Sequence, residues 1–185
     1  MTYDAFLVPL KQFDLAKDRL RKDSSLDVSK LAEELARGVL QSCGTRKVLV
    51  LSESPEITSF AMKLGIEVFE SHSSGLNEAV SNAYAALRSR YEQLHVVHGD
   101  LKNPEGLSEF SPPTPITIVS DHHGSGTNVL SLPTGLDFHF HYGVGSRVLH
   151  EQEAQRLGIE FSTILSSPWG YDVDEPSDLN NSRKH

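Results

Sequence analysis

Asp100, Asp172 and Asp174 are the residues of this sequence best suited to chemistry. Asp100 follows the apolar run Leu94-His95-Val96-Val97 and stands directly after Gly99, so a strand end would hold its carboxylate rigidly at the mouth of a crevice, as a divalent-cation ligand requires. Asp172 and Asp174 are two residues apart in Tyr171-Asp172-Val173-Asp174-Glu175-Pro176. In an extended segment they project to the same side and repel each other unless a cation lies between them. Lys11, Lys17 and Arg19 come just beyond the first apolar run, where cations could meet phosphates. A second anion-directed stretch runs from Ser120 to Ser146, where Gly124, Gly126, Gly143 and Gly145 lie close to Thr127 and Ser146. A glycine backbone can approach a ligand closely and turn its amides on it. Carboxylate-held cations between two anionic substrates suit an in-line phosphoryl or nucleotidyl transfer. Each feature has a plainer reading beside it. Asp100 could cap a helix beginning near Asn103 and Pro104, the cations could decorate a solvated loop, and the glycines could be ordinary turns.

The elements that must position these residues are legible as apolar runs alternating with amphipathic segments, the mark of an α/β fold. Ala5-Phe6-Leu7-Val8 reads as a strand stopped by Pro9. Val28, Leu31, Leu35 and Val39, widened by Ala32, Ala36 and Leu40, predict a helix over 28–42 closed by Gly44. The continuous run Lys47 to Leu51 predicts a strand buried on both faces of a parallel sheet. A helix from Pro55 to Gly65, a short strand at 66–69 and a long helix from Gly75 to near Tyr91, with Ala79, Ala83, Ala86 and Leu87 inward, follow. Leu94 to Val97 and Ile116 to Val119 predict strands, and Val129 to Leu132 returns from the glycine-rich region as an antiparallel partner. Ser146 is expected to cap a helix whose apolar positions are Val148, Leu149, Ala154 and Leu157 and which ends at Gly158. A last strand is expected over 159–163, with His139 and His141 alternating on another. Pro176 suits the first turn of a terminal helix, with Asp178 as its dipole-compensating cap.

At 185 residues the chain has the length of one ordinary domain, 1–185. A net charge of −8 argues against a nucleic-acid backbone as partner, while leaving small anions and metal-bridged ligands open. No apolar run approaches the roughly 20 residues of a membrane helix, and the expected setting is cytoplasmic, with no membrane partner. The single cysteine, Cys43, excludes an internal disulfide and reads as a buried structural thiol. Neither a P-loop nor a dinucleotide fingerprint is present, since Gly143-Val144-Gly145 lacks the third glycine. The histidine pairs 122/123 and 139/141 have no Cys or Glu partner at a zinc-ligand spacing. Trp169, between Pro168 and Gly170, is expected to be a packed aromatic near the acidic segment.

The order and spacing of several short motifs resemble the CofC/FbiD guanylyltransferase family of coenzyme F-420 biosynthesis. The motifs are Val8-Pro9-Leu10-Lys11 with Ala16-Lys17-Asp18-Arg19-Leu20, Gly75-Leu76-Asn77, Gly99-Asp100-Leu101, Gly126-Thr127-Asn128-Val129-Leu130, Tyr142-Gly143-Val144-Gly145-Ser146 with His150 beyond, and Asp172-Val173-Asp174-Glu175-Pro176 with Asp178-Leu179. The resemblance implies a single-domain, Rossmann-like nucleotidyltransferase fold of the glycosyltransferase-A kind, a mixed but mostly parallel sheet flanked by helices. It implies that a small phosphorylated C3 acid (2-phospho-L-lactate, phosphoenolpyruvate or 3-phosphoglycerate) attacks the α-phosphorus of GTP and expels pyrophosphate. Carried over by residue, it implies that Asp100, Asp172 and Asp174 hold Mg2+ and that Lys11, Lys17 and Arg19 face the triphosphate, with Lys17 among the catalytic residues. It places Gly75 and Asn77 near the nucleotide, and Thr127, Gly143, Gly145 and Ser146 around the phosphoacid. This chain departs from its relatives at His98, where a small residue is common, at Lys102-Asn103 after the strand-end Asp-Leu, and at Glu175 in place of a capping threonine. Another nucleotidyltransferase of this fold, acting on a sugar phosphate or cofactor precursor, and a non-catalytic nucleotide-binding relative are the alternatives. A homodimer is left open.

Overall fold

The computed structural model describes residues 3–15, 27–173 and Asp178. Lys17, Arg19 and Asp174, and the expected terminal helix at Pro176, lie outside the described residues apart from Asp178. The described strands are β1 (Asp4–Pro9), β2 (Val48–Leu51), β3 (Glu67–Phe69), β4 (Gln93–Val97), β5 (Ile116–Ser120), β6 (Thr127–Pro133) and β7 (Phe161–Ile164), and the α-helices are α1 (Val28–Ser42), α2 (Pro55–Lys63), α3 (Leu76–Leu87) and α4 (Ser146–Leu157). They build one seven-stranded sheet in the order β3-β2-β1-β4-β6-β5-β7. β1 runs parallel to both β2 and β4, β2 to β3, and β5 to β7; β6 alone is antiparallel to its neighbours β4 and β5.

Alternation along the central strands explains why their runs are apolar throughout. Phe6, Val8, Val48, Val50 and Val97 face one core with α1 and α2 residues Ala36, Val39, Ile57 and Ala61. Ala5, Leu7, Leu49, Leu51, Leu94 and Val96 face another with α3 and α4 residues Val80, Ala83, Leu87 and Ala154. Both faces are covered, so neither can carry polar side chains without partners. The 28–42 helix is observed as expected, with Asp27 accepting from the Lys30 amide at its start, and Cys43 and then Gly44 (φ 63°) closing it. Cys43 is buried, which pushes its thiol pKa up to about 12.

The structure corrects several local expectations. α3 ends at Leu87 rather than near Tyr91, and Val80 and Tyr84 take the inward places while Ala86 is exposed. No α-helix begins near Asn103 and Pro104, where only a short 3-10 turn at Leu107–Glu109 forms, so Asp100 is not a helix cap. The segment holding His139 and His141 forms no strand. The N-cap of α4 is Gly145, with φ 73°, and Ser146 is its first helical residue. Val148 and Leu149 are exposed, whereas His150 and Glu153 are buried. Apolar periodicity was right for Ala154 and Leu157 but not for Val148 and Leu149, because the first turns of this helix present polar side chains inward. Glu153 accepts from the His139 amide (2.8 Å) and His150 from the His141 amide (3.0 Å), which satisfies a loop backbone that has no ladder of its own.

Candidate active site

Parallel strands β2, β1 and β4 end on the same edge of the sheet; after β1 the chain adds β2 and β3 on one side and then returns to add β4 on the other. That reversal leaves a crevice beyond the strands' carboxyl ends, where ligands of open α/β sheets bind. A cavity of about 830 Å³ occupies it, walled by the segments after β1 (Lys11), after β2 (Ser52, Glu53, Ser54), before and within α3 (Gly75, Leu76, Ala79), and after β4 (His98, Gly99, Asp100). Its size suits a nucleotide. Gly99 gives the Asp100 turn its close fit: a Cβ there would stand 2.2 Å from Leu10 Cδ2.

The acidic C-terminal segment lies beside this turn. Leu101 and Asp172 form an antiparallel bridge, with Lys102 N donating to Tyr171 O (2.7 Å) and Val173 N to Asp100 O (3.2 Å). Asp172 thus stands opposite Leu101, and its Oδ1 is 3.5 Å from Asn128 Nδ2 and 4.0 Å from His122 Nδ1. The segment is pinned further by His122 N donating to Gly170 O (2.7 Å) and by Asn128 Nδ2 donating to Trp169 O (3.0 Å). Trp169 is packed edge-on to Phe110 as expected of a structural aromatic, and its Nε1 donates to Glu105 O. Lys102, one of the departures from the family pattern, donates from Nζ to the Asp178 carbonyl. Among the described residues no three His, Cys, Asp or Glu side chains make a metal-sized group. A magnesium site needs no such group, because this ion keeps several waters and is held by one or two carboxylates with the phosphates of its substrate. Asp100, a hard oxygen ligand on the wall of the cavity that Lys11 also lines, fits that coordination.

The glycine-rich half divides into two loops of different character. In the loop 121–126 the amides are already committed. Ser125 N donates to Asp121 Oδ1 (2.7 Å), Gly124 N to Asp121 O (3.0 Å), and Asp121 N to Gly126 O (3.2 Å). Burial works against the charged Asp121, but the Gly126 and Ser125 amides, the Ser125 hydroxyl and His123 outweigh it and hold the carboxyl below its ordinary range. A Cβ on Gly126 would stand 2.8 Å from Asp121 Oδ2, so glycine is what admits this internal anion. The loop 143–145 is different: Gly143 (φ 128°) and Gly145 (φ 73°) are in left-handed conformations, with Val144 fully exposed between them. Arg147 joins the two loops, its backbone N donating to Ser125 O (3.1 Å) and its Nε to Gly124 O (2.7 Å).

Thr127 and Ser146 are 1% and 2% exposed and line the inner side of these loops. His150, itself fully buried, sets the state of Thr127. Its Nε2 accepts from His141 N (3.0 Å), so the proton sits on Nδ1 and is donated to Thr127 Oγ1 (3.0 Å). Burial, reinforced by His141 and His98, brings the His150 pKa down to about 3, so the ring is neutral. The Thr127 hydroxyl hydrogen is thereby left to donate elsewhere. Asn77 engages the backbone of Tyr142 with its side chain, while the neighbouring Gly75 and Leu76 wall the cavity. Asp121 and Arg147 are parts of these loops that sequence reasoning missed. Their partners are distant in the chain or follow no spacing rule.

A crevice at the ends of parallel strands with a carboxylate on its wall is a ligand site of an open α/β sheet, and comparison with known proteins places that sheet among the nucleotidyltransferases. A solved structure described as a putative nucleotide-diphospho-sugar transferase from Desulfovibrio desulfuricans G20 shares the fold, with a TM-score of 0.73 at 14% identity over 97% of this chain and 86% of that one. The family model for CofC-like guanylyl transferases matches residues 4–185, and the chain belongs to that family. Similar proteins include a phosphoenolpyruvate guanylyltransferase from Rubrobacter xylanophilus, 31% identical over 94% of this chain and 90% of its own length. Another is a 2-phospho-L-lactate guanylyltransferase from Methanocaldococcus infernus, 25% identical over 94% of this chain and 81% of its own.

Proposed function

We propose that the protein joins GTP to a small phosphorylated C3 acid, as a guanylyltransferase of coenzyme F-420 biosynthesis, with phosphoenolpyruvate, 2-phospho-L-lactate and 3-phosphoglycerate as the candidate acceptors. A phosphate oxygen of the acid attacks the α-phosphorus of GTP, the bond from that phosphorus to the bridging oxygen breaks, and pyrophosphate leaves with the electron pair. The acceptor phosphate is already ionised near neutral pH, so no protein nucleophile is needed and catalysis is positioning and charge stabilisation. Magnesium, when bound, supplies positive charge between two anions that would otherwise repel. Asp100 would hold it from the cavity wall. Asp172, bridged to the Asp100 turn, and Asp174, two residues further along the sequence, are the further candidates. Lys11 faces the triphosphate, with Lys17 and Arg19 completing the cationic segment, and Gly75 lies against the nucleotide. Thr127, through the hydrogen freed by His150, together with Gly143, Gly145 and Ser146, receives the phosphoacid.

The observation that carries this reading is the placement of Asp100 on the wall of the cavity at the ends of β1, β2 and β4. Pyrophosphate release from purified protein, magnesium, GTP and each phosphoacid tests it, with mass spectrometry of the product naming the acceptor. Asp100→Asn is expected to lower turnover at least 100-fold with its unfolding midpoint little changed. Pyrophosphate formation from none of the acceptors, with GTP still raising the melting temperature, would replace the enzyme reading by a nucleotide-binding one.

A further inference from the structure

We infer that Asn77 is a positioning residue that latches the acceptor loop to the wall of the nucleotide cavity. Tyr142 N donates to Asn77 Oδ1 (2.6 Å), and Asn77 Nδ2 donates to Tyr142 O (3.0 Å). One planar amide therefore reads both polar groups of a single backbone residue, as a neighbouring β-strand would. A pair of this kind fixes the orientation of two successive peptide planes, which a single hydrogen bond does not. The need is local. Residues 136–142 belong to no strand or helix, and their amides are held by side chains instead: His139 by Glu153 and His141 by His150, both on α4, and Tyr142 by Asn77 on α3. α3 holds this loop at both ends: Tyr84 Oη accepts from Leu136 N (3.0 Å) at its start and Asn77 grips Tyr142 at its end, next to the part of α3 that walls the cavity through Gly75, Leu76 and Ala79.

What the latch positions is the backbone next to it. Gly143, in a left-handed conformation, follows Tyr142 directly, and its carbonyl accepts from Ser146 N (3.1 Å). The Tyr142 ring is held as well, 5.6 Å from the His98 ring on the cavity wall and 5.0 Å from the His150 ring that sets Thr127. Releasing Tyr142 would therefore loosen the loop that is proposed to meet the acceptor, while the nucleotide side keeps its own walls. The identity of the acceptor rests on the guanylyltransferase reading; the latch itself does not.

Asn77→Ala removes both bonds. Asn77→Asp keeps the acceptor for Tyr142 N, turns a carboxylate oxygen towards Tyr142 O, and suits the first turn of a helix, so the fold should survive it. Hydrogen exchange by mass spectrometry is expected to speed up at least 10-fold in peptides covering 138–145 in both variants, with sheet peptides unchanged. In steady state the Km for the phosphoacid should rise at least 10-fold, with kcat within about 3-fold and the Kd for GTP within about 2-fold of the parent protein. Weaker GTP binding with unchanged exchange at 138–145 would make Asn77 a nucleotide contact and overturn the latch. So would unchanged acceptor Km in an active enzyme. If the parent protein turns over no phosphoacid, the guanylyltransferase reading fails and exchange alone decides: unaltered protection of 138–145 refutes the latch, and accelerated exchange upholds it.

Discussion

Acid should destabilise this protein well before its carboxylates begin to titrate. His95 and His150 are both fully buried. Burial first, with the nearby Arg46 charge adding, brings the His95 pKa from 6.5 to about 4; its hydrogen bond to Asp4 works against this. His150 falls to about 3, chiefly by burial. A folded-state pKa below the unfolded one means the unfolded chain binds the proton first. Stability is complete above about pH 6.5 and is lost as pH falls from there towards 4 and 3. At pH 5 linkage gives about 2 kcal/mol of lost stability per histidine, or about 4 kcal/mol for the pair, a large share of the 5–15 kcal/mol typical of a domain. Carboxylates held low by their partners, Glu67 and Glu153 at about 2, contribute in a separate window, because their stabilisation is lost only as pH falls below about 4.5. Urea unfolding monitored at Trp169 between pH 8 and 5 measures the slope. His150→Gln should flatten it by about half while lowering the midpoint overall. Stability independent of pH between 7 and 5 would refute the argument that these two rings are neutral and desolvated.

Two other substitutions probe how the site is held. A Cβ at Gly170 would stand 3.0 Å from Ser120 O, a backbone atom that cannot turn aside, so Gly170→Ala should push the Asp172 segment off the end of β5 and cost about 1 to 2 kcal/mol by thermal unfolding, together with activity. Thr127→Val leaves the His150 Nδ1 hydrogen without an acceptor and should cost about 1 to 3 kcal/mol, while Thr127→Ser restores most of the stability; equal stability of the two variants would show that the His150 contact is dispensable.

Both core faces were readable because strand alternation and helix periodicity are local properties: the 28–42 helix and the buried run of β2 follow from residue type and spacing. The antiparallel return of β6 was readable too, since the glycine-rich turn before it separates two apolar runs. α4 was placed correctly and its Ala154 and Leu157 do turn inward, but Val148 and Leu149 face out, because the rest of the inward face is polar and finds its partners at His139, His141 and Thr127. The loop 121–126 was recognised as an amide nest. That its anion would be Asp121, and not a ligand, depends on a backbone path that no spacing encodes.

The sequence by itself determined the α/β class, the carboxylate at the tip of β4 and the two glycine-rich turns, since each rests on short-range preferences of backbone and burial. Tertiary structure decided which of these groups are offered to a ligand and which are consumed by the protein. Asp100 and Lys11 line the cavity, whereas Asp121 fills its own nest and Asn77 grips Tyr142. The reason is that hydrogen-bonding capacity belongs to a residue, while its use is settled by whichever partner the folded chain brings within about 3 Å.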